Sequence, residues 1–191
     1  MIILISLWLG FYCMHSLLAS SRVKEWAAQR TGRFYRYYRL GYNVISLAGF
    51  GAIVWIQVFI PDIELSPRYP WLFFGGIIVM VSGMVTGYIA FSQYDSGEFF
   101  GFNQTQQHEP PKLVTTGLNQ YVRHPLYFAT ILILTGYLMI SFTANTMIFV
   151  VISFLYLIVG TILEEQKLEK IFGEAYKTYK HKVKMFIPFI I

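Results

Sequence analysis

The chain has 191 residues, of which 55% are hydrophobic, 18% aromatic and only 13% charged, and its mean hydropathy is +0.51. Soluble domains carry about a quarter charged residues, so this composition excludes an ordinary soluble domain and indicates an integral membrane protein. The single cysteine, Cys13, excludes an intramolecular disulfide and a cysteine-rich metal site, and membrane orientation explains the net charge of +5 better than nucleic-acid binding does.

Five apolar runs predict an all-α, polytopic integral membrane protein with a single domain over residues 1–191. The predicted transmembrane helices cover about residues 2–19, 41–60, 71–91, 125–142 and 147–163. The first run lacks the basic start of a signal peptide and is followed by further spans, so we expect a retained helix. The link between the last two runs is so short that it predicts a tight antiparallel hairpin.

The first half of the chain holds one histidine inside a predicted span, His15. An ionisable residue in a membrane helix is a functional candidate, and the alternative is a neutral ring hydrogen-bonded to a neighbour near the helix end. Residues 20–40 interleave basic and aromatic side chains, which is typical of an anchor at the lipid headgroups. In the third span, Gly83 and Gly87 are four residues apart and allow another helix to approach closely.

The polar stretch of residues 92–123 ends in Arg123 and is followed by His124 and Pro125. Proline suits the first turn of a helix and biases the preceding residue away from helical geometry. We therefore expect Arg123 and His124 on irregular backbone at a helix start, where free N–H groups and the positive dipole end favour an anion. This helix start is a candidate ligand site at the membrane surface.

The predicted hairpin returns Glu164 and Glu165 to the end of the structure where Arg123 and His124 lie. A basic pair beside an acidic pair matches a zwitterionic ligand. The alternative is that these groups pair with one another or with lysines of the tail, and exposed pairs of that kind contribute little to stability.

Residues 164–180 have the periodicity of an amphipathic tail helix, which Gly173 interrupts only mildly. Every lysine and arginine except Arg68 follows the first, third or fifth predicted span. The positive-inside rule then predicts an N-terminus outside, and a C-terminus and candidate site on the cytoplasmic side of the inner membrane.

Two motifs flank the predicted hairpin, LVTTGLNQYVRHPLYFA at 113–129 and EEQKLEKIFGEAYKTY at 164–179, with Val183 and Pro188 after the second. Together they resemble the membrane methyltransferases that include isoprenylcysteine carboxyl methyltransferase and, more distantly, phosphatidylethanolamine N-methyltransferase. In the N-terminal half, HSLLASSRVKEW, YYRLGYN and YDSGEFFGFNQ resemble methanethiol S-methyltransferases and the NnrU-like membrane proteins of denitrification. The pairs Asn119-Gln120 and Phe128-Ala129 depart from the commoner family pattern.

The resemblance implies S-adenosylmethionine as the cofactor, bound within residues 92–191. The cofactor-binding residues that it implies are Leu113, Val114, Gly117, Arg123, His124, Tyr127, Glu164 and Glu165. Its catalytic candidates are Arg123, Glu165 and Tyr127. Weaker candidates for substrate contacts are His15, Arg36, Arg39, Tyr94 and Asp95. In the implied arrangement, one of the two glutamates holds the cofactor amino group, while Arg123 serves its carboxylate or orients the substrate.

The expected activity is methyl transfer to a lipophilic or small thiol or carboxylate acceptor reached from the membrane, with a lipid amine also open. Because the donor is already activated, positioning in a dry cavity can supply most of the rate. The alternative is a non-catalytic, NnrU-like accessory or small-molecule binding protein. A transporter fits poorly, since few ionisable residues lie at mid-membrane and no inverted repeat is visible. We expect neither a metal nor a nucleic acid as a partner.

Overall fold

The computed structural model describes residues 1–94, 97 and 113–186. Within them the regular structure is helical apart from two isolated β-bridges, so the prediction of an all-helical fold is confirmed. The α-helices are α1 (Ile2–Ala19), α2 (Ser21–Thr31), α3 (Tyr38–Val58), α4 (Pro70–Phe91), α5 (Pro125–Ile140), α6 (Ala144–Phe172) and α7 (Glu174–Lys182). Two 3₁₀ helices are Gly32–Tyr37 and Gly117–Gln120.

Four helical stretches among the described residues are long and apolar enough to cross a membrane. They are Ile2–Ala19, Ser21–Val58, Pro70–Phe91 and Ala144–Phe172. Helix α5 is also apolar but has 16 residues, which at about 1.5 Å per residue covers about 24 Å of a hydrocarbon core about 30 Å thick. Length and composition therefore support four of the five predicted spans, and the fifth, α5, stays a prediction.

Helix α6 is longer than the predicted span of residues 147–163, because it continues through the two glutamates to Phe172. It ends at Gly173, whose φ of 55° lies in a region that L side chains rarely adopt. The predicted single tail helix over residues 164–180 is therefore wrong as an element. Its first part belongs to α6 and its second part to α7, with Gly173 as a full break.

The chain divides into two compact units, and the first holds α1, α2 and α3. Helices α1 and α3 pack through aromatic side chains, among them Trp8, which is 1% exposed and lies 5.4 Å from the Phe50 ring between centroids. Nδ1 of His15 lies 2.8 Å from the Ser46 hydroxyl. This contact agrees with the alternative reading of His15 as a ring hydrogen-bonded to a neighbour.

The second unit holds α4 to α7, and its α4–α5 contact brings backbone against backbone. A Cβ added to Gly76 would meet the Gly136 carbonyl at 2.8 Å, and one added to Gly83 would meet the Ala129 carbonyl at 2.9 Å. The prediction that Gly83 permits close helix approach is thus confirmed. Gly87 is looser, since its Cβ would lie at an ordinary 3.4 Å from Ala129. This tight pairing fixes the position of α5.

Candidate functional site

Arg123 and His124 lie on irregular backbone directly before α5, as Pro125 predicts. Their amides donate to the carbonyls of Lys184 and Met185, with N···O distances of 2.8 and 3.2 Å. These two N–H groups are therefore not free for an anion, because the segment after α7 uses both. The same pairing holds that segment against the start of α5. The expectation of free N–H groups in the first turn of the helix stays a prediction.

The Arg123 and Glu165 side chains form a buried ion pair, with 7% and 4% of their surfaces exposed. Nε and Nη2 of Arg123 lie 2.8 and 2.7 Å from Oε1 of Glu165. Nη1 of Arg123 donates to the carbonyls of Lys180 and Val183. Nζ of Lys180 lies 3.0 Å from the second oxygen of Glu165. Each oxygen of this carboxylate therefore has a cationic partner, and Arg123 ties α6 to α7 and to the segment behind it.

Glu164 has a different environment, since 44% of its side chain is exposed. The Tyr127 hydroxyl donates to its Oε2 at 2.7 Å, and Nδ1 of His124 lies 3.8 Å from the same oxygen. Nε2 of His124 lies 3.3 Å from Glu165, and the rings of His124 and Tyr127 stack with centroids 5.4 Å apart. Of the two glutamates, Glu164 is thus the one whose carboxylate has room for an incoming cation.

Burial lowers the pKa of His124 below its ordinary value, although the carboxylates of Glu164 and Glu165 act in the opposite direction. The unfolded chain then binds this proton more readily than the folded chain does. The stability that neutral His124 contributes is present above the unfolded pKa of 6.5 and is lost as the pH falls through the folded value.

We therefore expect the unfolding free energy to fall more steeply below pH 6.5 in the wild type than in His124→Gln. Thermal unfolding in detergent at a series of pH values down to about 5 measures both slopes. The difference between the two slopes is the quantity that is compared. Equal slopes would contradict the expectation.

A loop before α5 carries three of the predicted backbone contacts. Gly117 has a φ of 63°, a conformation that calls for glycine, and a Cβ there would lie 2.7 Å from the amide nitrogen at the end of the flexible Gln93 side chain. Leu113 is half-buried and Val114 is 49% exposed. Asn119, one of the departures from the family pattern, donates to the Gln93 side chain at 3.3 Å. The loop is thereby fixed to the end of α4.

An open cavity of about 540 Å³ adjoins the buried ion pair on the side of α7. Its lining residues are Arg123, Glu169, Lys177, Lys180, His181, Lys184 and Met185. The volume lies in the range of small-molecule sites, and the lining is mainly basic.

The structure brings together five of the predicted site residues, namely Arg123, His124, Tyr127, Glu164 and Glu165. Of the substrate-contact candidates, His15, Arg36, Arg39 and Tyr94 belong to the first unit, and Asp95 lies outside the described residues. Sequence reasoning did not single out Lys180 or Tyr176. It named the tail lysines together as alternative partners of the glutamates, which the Lys180–Glu165 contact bears out, and it included Tyr176 only as a residue of the second motif. Tyr176 is buried on α7, one helical turn before Lys180.

Residues 71–175, more than half of the chain, match the phospholipid methyltransferase family, and the chain belongs to that family. The matched region contains the Arg123–Glu165 pair and the Glu164 carboxylate. It ends one residue before Tyr176.

Among individual proteins, the chain is similar to methanethiol S-methyltransferase 1 of Bradyrhizobium diazoefficiens, with 28% identity over 93% of this chain and 63% of that protein. It is also similar to the methanethiol S-methyltransferases of Crocosphaera subtropica (32% identity over 61% of this chain and 44% of that protein) and Pseudomonas deceptionensis (33% over 48% and 36%). The chain therefore spans less than two thirds of the length of these relatives. No solved structure matches it.

Proposed function

We propose that the chain transfers a methyl group from S-adenosylmethionine to a small thiol, or to a lipophilic acceptor, that reaches the site from the membrane. The observation that carries the proposal is the half-exposed Glu164 carboxylate beside the buried Arg123–Glu165 pair, in a member of a methyltransferase family. The names of three relatives favour a thiol acceptor. We further propose that α5 crosses the inner membrane, that α7 is an amphipathic tail helix, and that the site faces the cytoplasm.

The residues of the site fit the amino-acid part of the cofactor. The Glu164 carboxylate is accessible, and the Tyr127 hydroxyl fixes its orientation, so it suits an ammonium group. Glu165 already faces Arg123, His124 and Lys180, so we assign the ammonium contact to Glu164. When bound, the cofactor supplies a methyl group on a positively charged sulfur, which is reactive without further activation.

The remaining residues act by positioning and charge. The stacked rings of His124 and Tyr127 offer an aromatic surface next to Glu164, which suits a cationic ligand. The Arg123–Glu165 pair holds the ends of α5, α6 and α7 in one arrangement, so Arg123 acts as a positioning residue. An acceptor thiol reacts as its thiolate, and nearby positive charge lowers the pKa of such a thiol.

The substitution Glu164→Gln is expected to weaken binding of S-adenosylhomocysteine about 10- to 100-fold, because an ammonium–carboxylate contact becomes a neutral one. Calorimetric titration in lipid nanodiscs measures the affinity. Glu174→Gln is the matched control, since its side chain is 85% exposed and pairs only with Lys177 among the contacts described. Wild-type affinity in Glu164→Gln would contradict the assignment of the ammonium.

Activity is tested with labelled S-adenosylmethionine and a panel of methanethiol, a prenylated thioether acid and a lipid amine. The proposal expects transfer to one of these acceptors, with methanethiol the first choice. A purified chain that binds no S-adenosylhomocysteine and methylates none of them would overturn the proposal and favour the accessory function.

A further inference from the structure

Two tyrosines on α7 are buried, and only one of them has a partner for its hydroxyl in the described part of the chain. Tyr179 donates to the Asn119 carbonyl. Tyr176 is 1% exposed, and its hydroxyl has no hydrogen-bond partner there. A hydroxyl that has lost water without gaining a partner is unfavourable, and such groups are rare in folded proteins. Among the described residues, the Tyr176 hydroxyl is therefore available as a donor to a bound ligand.

Tyr176 lies one helical turn before Lys180 on α7, and Lys180 contacts Glu165, so Tyr176 is on the face of α7 that meets the site. Burial raises the pKa of this phenol, the carboxylates of Glu165 and Glu164 raise it further, and the Arg123 guanidinium acts in the opposite direction. The hydroxyl stays protonated at physiological pH, so it can serve an incoming group as an O–H donor.

The amino-acid part of the proposed cofactor needs a donor in this place. If Glu164 holds the ammonium, the carboxylate of the same amino acid lies one carbon away. Arg123 was the sequence-based candidate for that carboxylate. However, its guanidinium already donates to Glu165 and to two backbone carbonyls, and its side chain is only 7% exposed. The Tyr176 hydroxyl is neutral and has no competing partner among the described residues, so it is better suited than Arg123 to donate to this carboxylate.

We propose that the Tyr176 hydroxyl donates a hydrogen bond to the α-carboxylate of the bound cofactor, and that Tyr176 is a binding residue of this site. The inference rests on the proposed function, because it takes the cofactor as given. The inference also goes beyond the proposed function, because it assigns the contact with the cofactor carboxylate to a residue on α7 instead of Arg123.

The test compares two ligands, S-adenosylhomocysteine and its analogue that lacks the carboxylate. Calorimetric titration in nanodiscs gives both affinities for the wild type, for Tyr176→Phe and for Tyr179→Phe. We expect the wild type to bind the analogue about 10- to 100-fold more weakly. Tyr176→Phe is expected to bind S-adenosylhomocysteine as weakly as it binds the analogue. Tyr179→Phe is expected to keep the discrimination but to melt at a lower temperature, because its hydroxyl supports the fold.

Each other outcome overturns the inference. If Tyr176→Phe discriminates between the ligands as the wild type does, the hydroxyl serves only a buried water. If the wild type binds both ligands equally, no protein group binds the carboxylate, and this conclusion does not depend on the stability of the variants. If the wild type binds neither ligand, the proposed function itself fails, and that result is distinct from the first two.

Discussion

Replacing Arg123 with alanine is expected to lower the free energy of unfolding by about 3 to 5 kcal/mol. The Glu165 carboxylate would stay buried, with 4% of its side chain exposed, while its closest cationic partner is gone. Lys180 would still contact the second oxygen at 3.0 Å, so the loss is expected toward the lower end of that range. Thermal or denaturant unfolding in detergent measures the change.

A double substitution separates the contribution of the ion pair from the cost of leaving one charge buried without a partner. Arg123→Met combined with Glu165→Met removes both charges, so it is expected to destabilise less than either single change does. Lys177→Ala serves as the exposed control, since its pair with Glu174 lies at the surface and no measurable change is expected. An Arg123→Ala protein as stable as the wild type would show that the pair does not organise the site.

The second large effect is expected at Gly136, where α5 meets α4. A Cβ there would lie 2.6 Å from the Gly76 carbonyl oxygen and 2.6 Å from the Met80 amide nitrogen. Both atoms belong to backbone, so the two helices must separate to admit it. We expect Gly136→Ala to cost about 1 to 3 kcal/mol and Gly136→Leu to cost more.

Gly160 on α6 provides the matched control for this substitution. A Cβ at that position meets nothing within 4 Å, so Gly160→Ala is expected to be neutral or slightly stabilising through its better helix propensity. Unfolding of both variants in the same detergent compares them directly. If the two alanine variants melt at the same temperature, the close approach of α4 and α5 is not what stabilises this unit.

The contact between Arg123 and Glu165 could be predicted because it follows from chain order. Pro125 marks the start of α5, and a short link forces α6 to run back beside it. Two helices that are neighbours in sequence are usually neighbours in space, so residues at their shared end meet. The chemical roles of those residues stay predictions.

Other features lacked such a signal. The bonds from Arg123 and His124 to Lys184 and Met185 join segments about 60 residues apart, and no periodic pattern marks either segment. The break at Gly173 depends on its left-handed φ, whereas glycine alone also fits a continuous helix. Tyr176 has the spacing of a core residue and a place in the second motif, and neither signal says which group its hydroxyl serves. In the described part of the chain that hydroxyl has no hydrogen-bond partner.

The pairing of Arg123 and His124 with the segment after α7 has a consequence for biosynthesis. Chain order means that α5 and α6 are synthesised before Lys184 and Met185. The α5–α6 pair carries Glu165 and the preceding Arg123, whereas Lys180 follows later, in α7. The amides of Arg123 and His124 thus gain their carbonyl partners only after both helices that carry the ion pair have been made.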